Sequence, residues 1–203
     1  MSRPPERLPE RDAAIDAMLP NVPFDGWTTR ALRAGLASAG MPEDEVTLLF
    51  PGGAADMIEV FCDLADRRMA QAAAALTETK LTARVRAIIA LRFALNRPHK
   101  EAIRRALALL SLPRNARAAS AITARTVDAI LHAAGDRSAD FSWYTKRAIL
   151  TAIYAAALLF WLHDTSEDDA DTLAFIDRRL SGVGRLRRAR GRAASLLGRL
   201  RPA

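Results

Sequence analysis

Residues 23–53 have the sequence PFDGWTTRALRAGLASAGMPEDEVTLLFPGG, in which short helical patterns alternate with turns. The turn at residues 23–29 leads into a helix predicted over residues 29–38, because apolar residues recur there at helical spacing. Gly40 breaks this helix, and a second short helix is predicted over residues 43–50. Two short helices joined by a glycine-containing turn are typical of a helix-turn-helix unit.

Helical patterns continue on both sides of this unit. A short apolar helix is predicted before it, a long one at residues 54–76 after it, and apolar residues recur at helical spacing up to about residue 180. No stretch alternates apolar and polar residues as a strand would, so the sequence predicts an all-α fold. The predicted segments are an extended N-terminal segment (1–11), a helix-turn-helix-like module (12–53), a helical domain (54–180) and a basic tail (181–203).

The second helix of the unit carries three acids, Glu43, Asp44 and Glu45. A helix that reads DNA needs donors for the base edges and basic or hydroxyl groups for the phosphates. Acids at this position would oppose the electrostatic attraction that supplies most non-specific affinity for DNA. We therefore expect the architecture of a DNA-binding module without DNA binding.

The net charge of +7 belongs to the tail. Residues 184–203 contain seven arginines, Arg190 among them, and no acid, whereas residues 1–183 carry as many basic as acidic residues. Spaced at about 100° per residue, most of these arginines lie opposite an apolar side. Such a helix is predicted to bind a membrane surface, and a disordered basic tail or weak nucleic-acid contact is the alternative. The apolar side contains Leu186, Leu196, Leu197 and Leu200.

The sequence offers no recognisable catalytic chemistry. His99, His132 and His163 lie in different segments, and no histidine or cysteine pair has the spacing of metal ligands. The glycines match no phosphate-binding or dinucleotide fingerprint, and no serine has the context of an activated nucleophile. We expect a protein that is not an enzyme and that uses neither a metal nor a cofactor.

The location is predicted from composition. One cysteine, Cys62, excludes disulfides within the chain and fits a reducing compartment. The first twelve residues mix acids with arginines and resemble neither a secretory signal nor a transit peptide. The 27 arginines against 3 lysines suggest a GC-rich bacterial genome. We expect a bacterial cytoplasmic protein, peripheral on the inner face of the cytoplasmic membrane.

The apolar helices of residues 54–180 suggest binding of an apolar ligand between them. The uncharged run from Ala148 to Leu162 has 15 residues, short of the roughly 20 that a membrane-spanning helix needs, and predicts a buried helix. Residues on several helices are candidates to line a ligand cavity, and the alternative for each is ordinary core packing. These candidates are Leu107, Leu110, Ile130, Ile149, Ile153 and Leu159.

Several motifs resemble one family. They are Pro23 to Thr28, Leu112 to Asn115, the long stretch Ala134 to Arg147 (AGDRSADFSWYTKR), Ala152 to Tyr154, and Asp164 to Ser166. Over about residues 12–180 the chain resembles the lipid-binding ubiquinone (coenzyme Q) biosynthesis accessory proteins, which have a tetracycline-repressor-like fold and assist the demethoxyubiquinone hydroxylase.

This resemblance implies a homodimer that binds an isoprenoid quinone or other lipid and presents it to the membrane-bound hydroxylase. It implies that the tail is the amphipathic helix that contacts the membrane, and that Trp143 and Tyr144, with Asp140 and Arg147 nearby, contact the hydroxylase. Adjacent residues on a helix point about 100° apart, so Trp143 and Tyr144 are not expected to be core residues together. The alternative is a ligand-responsive transcriptional regulator of the tetracycline-repressor type.

Overall fold

The computed structural model describes residues 4–41, 46–136 and 142–182, with the backbone alone at residues 46, 47, 142 and 143. Helices connected by short turns make up most of this part of the chain, which contains no strand. The predicted all-α fold is confirmed. The helices are α1 (Pro9–Met18), α2 (Val22–Asp25), α3 (Thr29–Ser38), α4 (Val46–Leu49), α5 (Gly53–Ala73), α6 (Leu81–Asn96), α7 (Lys100–Leu110), α8 (Ala116–Ala133), α9 (Ser142–His163) and α10 (170–182).

The chain divides into two compact units, Met1–Thr151 and Ala152–Ala203. The first contains α1 to α8 with the beginning of α9, and the second contains the rest of α9 with α10. The four segments expected from the sequence stay a prediction.

Helices α1 to α4 occupy the place of the predicted helix-turn-helix module. Thr28 caps α3, since its hydroxyl oxygen accepts a hydrogen bond from the Ala31 N–H at 3.2 Å. Helix α3 crosses α1 very closely at Gly35, where an added Cβ would lie 2.5 Å from the carbonyl oxygen of Ala17. Only glycine permits this approach. Helix α4 covers residues 46–49, and the acids Glu43 to Glu45 lie outside the described residues.

A turn was expected at residues 23–29, and the structure instead has a short helix, α2, that ends at Gly26. Gly26 has a φ of 71°, a left-handed conformation that favours glycine and turns the chain towards α3. Trp27 follows, and its side chain is buried. The centroid of its ring lies 5.3 Å from that of the Phe61 ring. Its indole N–H donates to the carbonyl oxygen of Ala102 in α7 at 2.9 Å. Trp27 therefore joins the N-terminal module to α5 and α7.

Arginine–aspartate ion pairs connect the N-terminal module to α5. Arg67 of α5 lies 2.7 Å from Asp12 of α1 and 2.9 Å from Asp63. One turn further on α1, Asp16 lies 2.6 Å from Arg68. Burial raises the pKa of the Asp63 carboxyl, but hydrogen bonds from Arg7 and Arg67 outweigh it and leave this pKa below its ordinary value. We call these contacts, together with the Arg11–Asp56 pair, the α1–α5 ion pairs.

Helix α5 is the central helix of the first unit and packs against α1, α6 and α8. Most of its buried face is apolar, but Asp66 is also buried. Asp66 lies 2.8 Å from Arg92 of α6 and accepts a hydrogen bond from the hydroxyl of Thr126 in α8 at 2.9 Å. One carboxylate therefore links three helices inside the domain. Burial raises the pKa of the nearby Cys62 thiol to about 12, so this cysteine stays protonated.

Candidate functional site

The long sequence motif falls where α8 ends and α9 begins. Helix α8 is closed by Gly135, which has a φ of 78°. The Gly135 N–H donates to the carbonyl oxygen of His132 at 2.9 Å, and the Asp136 N–H donates to that of Leu131 at 3.0 Å. This pair of bonds is the Schellman motif, which satisfies carbonyl groups at the end of a helix. The motif fixes the direction in which the chain leaves α8.

Two ion pairs hold the first turns of α9 against α8. Lys146 Nζ lies 3.0 Å from Asp136 Oδ1, and the guanidinium of Arg147 donates to Asp128 Oδ1 at 2.5 Å. The carboxylate of Asp136 is 6% exposed, so solvent screens its interaction with Lys146 only weakly. Both contacts lie in the first unit, and they fix α9 where it carries Tyr144.

The four residues predicted to contact the hydroxylase have different places in the structure. Tyr144 has 69% of its surface exposed, so its ring faces solvent rather than the core. Arg147 forms an ion pair with Asp128 of the same chain. Trp143 belongs to α9 and only its backbone is described, while Asp140 lies outside the described residues. Their contact with a partner stays a prediction.

The six predicted lipid-lining residues lie on three helices and differ in burial. Ile130 is fully buried and Leu110 nearly so, whereas Leu107 and Ile149 are half-buried. In the second unit Ile153 is buried and Leu159 is 56% exposed. The structure shows one small open cavity in the first unit whose lining includes none of the six. It is lined by Phe61, Leu64, Ala65, Arg68, Leu95, Asn96 and His99.

Two of the polar side chains of this cavity, Asn96 and Arg68, already have partners within the chain. Asn96 donates to the carbonyl oxygen of Arg92 at 2.8 Å, and Arg68 pairs with Asp16. Burial lowers the pKa of His99, which favours its neutral form. In residues 4–41, 46–136 and 142–182, no group of three or more His, Cys, Asp or Glu side chains could hold a metal ion.

The comparisons with known proteins point to the same region. The COQ9 family model matches residues 116–187, from the start of α8 through α9 and beyond. "Ubiquinone biosynthesis protein COQ9-A, mitochondrial" of Xenopus laevis is 34% identical over 176 residues, which are 82% of this chain and 55% of that protein. The Homo sapiens protein COQ9 is 30% identical over 175 residues, again 82% and 55%.

The coq9 protein of Schizosaccharomyces pombe is 34% identical over 167 residues, 82% of this chain and 66% of the relative. The chain belongs to the COQ9 family. It spans just over half the length of the vertebrate COQ9 proteins that it matches. These relatives carry names that mark them as mitochondrial, so the prediction of a bacterial cytoplasmic location is wrong.

The fold of this COQ9 chain is also found in a solved structure. The TetR transcriptional regulator from Nitrosomonas europaea superimposes with a TM-score of 0.68, at 23% identity, over 86% of this chain and 97% of the regulator. This similarity confirms the tetracycline-repressor-like fold, and at this identity it concerns the fold alone.

Another motif of the COQ9 resemblance, Asp164 to Ser166, joins α9 to α10. The Asp164 carboxylate accepts hydrogen bonds from the backbone N–H groups of Ser166 and Thr172, both at 2.8 Å, and from both hydroxyl groups. Burial raises the pKa of Asp164, but these four bonds outweigh it and hold the pKa well below its ordinary value. Asp164 therefore serves as a fixed cap at the start of the segment that leads into α10.

Helix α9 is less buried than the sequence predicts. In the described part of the chain, Tyr144–His163 is long and apolar enough to cross a membrane, with 20 residues and a mean hydropathy of 1.3. Core helices of soluble proteins pass the same test, but only 33% of this helix is buried. In the second unit the Phe160 ring stacks on that of Phe175 with 4.8 Å between centroids. An apolar surface with Leu159 and Phe160 stays exposed.

The sequence singled out neither Phe160 nor Phe175 as a functional residue. The signal that could have found Phe160 is the uncharged run Ala148 to Leu162, because a helix without charges is apolar on every side. Phe175 lies after this run and carries no such signal. The membrane-binding candidates Leu186, Arg190, Leu196, Leu197 and Leu200 lie outside the described residues.

Proposed function

We propose that this COQ9-family protein is a non-catalytic accessory protein of ubiquinone biosynthesis that binds isoprenoid quinone intermediates and presents them to a membrane-bound hydroxylase. The names of its relatives, "Ubiquinone biosynthesis protein", support the pathway. The observation that carries the proposal is Tyr144, an exposed aromatic ring on a helix end fixed by the Asp136–Lys146 and Asp128–Arg147 pairs.

An exposed aromatic ring on an anchored helix turn suits a docking surface. A tyrosine side chain has few rotatable bonds, so it loses little conformational freedom when a partner covers it, and its ring supplies a large apolar contact with a polar end. Aromatic residues of this kind are enriched among those that dominate binding energy. We assign Tyr144 the central contact with the demethoxyubiquinone hydroxylase, with Trp143, Asp140 and Arg147 around it.

Replacing Tyr144 with alanine should weaken capture of the hydroxylase about tenfold or more, the typical loss for a dominant interface residue. The free energy of unfolding should change by less than about 0.5 kcal/mol, because the ring is exposed. Titration with purified hydroxylase and chemical denaturation measure the two effects.

Phe24→Ala is the matched control, since Phe24 is an aromatic residue of the N-terminal module that is 83% exposed. Capture should be unaffected by this change. Equal weakening by both variants, or a large loss of stability in Tyr144→Ala, would reject the docking role.

The lipid part of the proposal rests on the apolar helices. Isoprenoid chains need a long apolar space, and residues of the first unit from α7, α8 and the start of α9 would line it, with Ile130 deepest and Leu107 nearer the surface. The small cavity described above is lined in part by charged and polar groups, so it is not proposed as the chain-binding site.

Mass spectrometry of the lipid extracted from purified protein tests this part. We expect an isoprenoid quinone or a related isoprenoid lipid, and after its removal we expect uptake of ubiquinone from vesicles that contain it. A protein that carries no lipid after purification and takes up none from such vesicles would exclude the lipid-presenting role.

The exposed apolar surface of α9 supports a homodimer. Leu159 and Phe160 would bring apolar area to an interface. The Phe160 ring stacks on that of Phe175, and the Arg179 guanidinium lies 4.8 Å from the centroid of the Phe175 ring. A second copy of the chain would cover this surface, as isologous dimers cover theirs. We further propose that the basic tail holds the dimer to the membrane surface from which the lipid comes.

A further inference from the structure

Arg84, in the first turn of α6, binds the ends of two other helices at once. Its Nη2 donates to the carbonyl oxygen of Ala73, the last residue of α5, at 3.2 Å, and its Nη1 donates to that of Leu76 at 2.9 Å. Its Nε donates to the carbonyl oxygen of Ala133, the last residue of α8, at 3.2 Å. The last carbonyl groups of a helix have no partner within the helix, and backbone N–H groups of the following turn, water or a side chain such as Arg84 satisfy them.

A guanidinium fits this position for two physical reasons. The C-terminal end of a helix carries partial negative charge, and here two such ends meet one cation. The planar group also offers donors in fixed directions, which a lysine ammonium does not. Arg84 thereby couples the position of the end of α8 to the end of α5.

The end of α8 in turn positions α9. Asp136, two residues after the Ala134 cap of α8, forms the ion pair with Lys146, and Lys146 lies two residues after Tyr144 on the same helix. Contacts therefore run from Arg84 through the Schellman motif and the Asp136–Lys146 pair to the helix turn that carries Tyr144. Arg84, Asp136 and Lys146 thus act on the position of Tyr144 and are not themselves assigned a contact with the partner.

We propose that Arg84 is a positioning residue for partner capture: it fixes the end of α8 and so sets the place of Tyr144 on the docking surface. The inference rests on the proposed docking role of Tyr144. Without Arg84 the Ala133 carbonyl group loses its bond, the end of α8 frays, and Asp136 no longer holds Lys146 in one place.

The test measures affinity for the purified hydroxylase in four variants of the full chain. Arg84→Ala should weaken capture about three- to tenfold, as expected for the loss of one or two hydrogen bonds. Arg84→Lys should recover part of the affinity, because an ammonium can still donate to some of the carbonyl groups. Arg67→Ala is the matched control, since it removes a guanidinium that pairs with Asp12 and Asp63 in the same unit and leaves the bond to Ala133 in place. Tyr144→Ala provides the reference for docking.

A double variant separates positioning from general stability. If Arg84 acts through Tyr144, Arg84→Ala should cost less affinity in the Tyr144→Ala background than alone. Additive losses, or equal weakening by Arg67→Ala, would overturn the positioning role. Weak capture by Tyr144→Ala with normal capture by Arg84→Ala overturns this inference and leaves the proposed function standing. Unchanged capture by Tyr144→Ala overturns both.

Discussion

Replacing Arg92 with methionine is expected to lower the free energy of unfolding by about 3–5 kcal/mol, the typical cost of removing one partner of a buried ion pair. Both Arg92 and Asp66 are buried, and they lie 2.8 Å apart between α6 and α5. Without the guanidinium, the Asp66 carboxylate keeps the hydrogen bond from the Thr126 hydroxyl and the weaker attraction of Arg125. A buried charge without compensation is very unfavourable.

The loss should depend on pH in a defined direction. Burial already raises the pKa of Asp66 against the attraction of Arg92, and removing Arg92 raises it further. A carboxyl group whose pKa is higher in the folded state stabilises the protein at low pH, and this contribution is lost as the pH rises through the folded pKa. Urea denaturation of Arg92→Met should therefore show a larger deficit at about pH 8 than at about pH 5.

Two variants sharpen this experiment. Arg68→Met removes a guanidinium whose ion pair with Asp16 is largely exposed, and it should cost less than about 1 kcal/mol. The double change Asp66→Leu with Arg92→Met replaces the buried pair with apolar groups and should recover most of the lost stability. Equal losses at positions 92 and 68 would show that burial of the pair does not set the cost.

The second large effect is expected at Trp27. Trp27→Ala should lower the free energy of unfolding by about 3–5 kcal/mol, because it removes a fully packed aromatic side chain and leaves a cavity. The ring contacts Phe61 of α5, and its N–H bonds to Ala102 of α7, so three parts of the domain lose a common contact. Equilibrium denaturation measures the loss.

Trp27→Phe is the matched variant. It keeps an aromatic ring and removes the hydrogen bond to Ala102, whose net contribution is about 0.5–1.5 kcal/mol. The phenylalanine variant should therefore lie between the alanine variant and the natural chain. A Trp27→Ala protein as stable as the natural chain would mean that the N-terminal module adds little to the first unit.

Local patterns in the sequence were sufficient to predict most of the helices. Pro98 lies between α6 and α7, and a proline is a sequence signal for such a boundary because it cannot donate the backbone hydrogen bond that continues a helix. Thr28 was expected near a helix start, and it caps α3. The helix at Val22–Asp25 was missed, since four residues show no period and only the surrounding contacts favour a helical turn there.

The candidate site was predictable only where it depends on residues that are close together in the sequence. The resemblance named Tyr144, and its exposure agrees with the expectation that adjacent aromatic residues on α9 are not both core. Arg147 pairs with Asp128, which lies 19 residues earlier in the sequence. Arg84 bonds to Ala133, which lies 49 residues later. No periodicity or motif reports such distances, since they depend on how helices pack in three dimensions.

The α1–α5 ion pairs have a mechanical consequence. For α1 to tilt on α5, Arg67 would have to release Asp12, and Arg68 would have to release Asp16 one turn away. Each separation on its own is inexpensive at a wet surface, but a tilt would require both at once while Arg11 leaves Asp56. The ion pairs thus hold α1 rigidly along α5 and oppose a hinge motion between the N-terminal helices and α5. We therefore expect α1 and α5 to move together as one rigid unit when the rest of the domain changes.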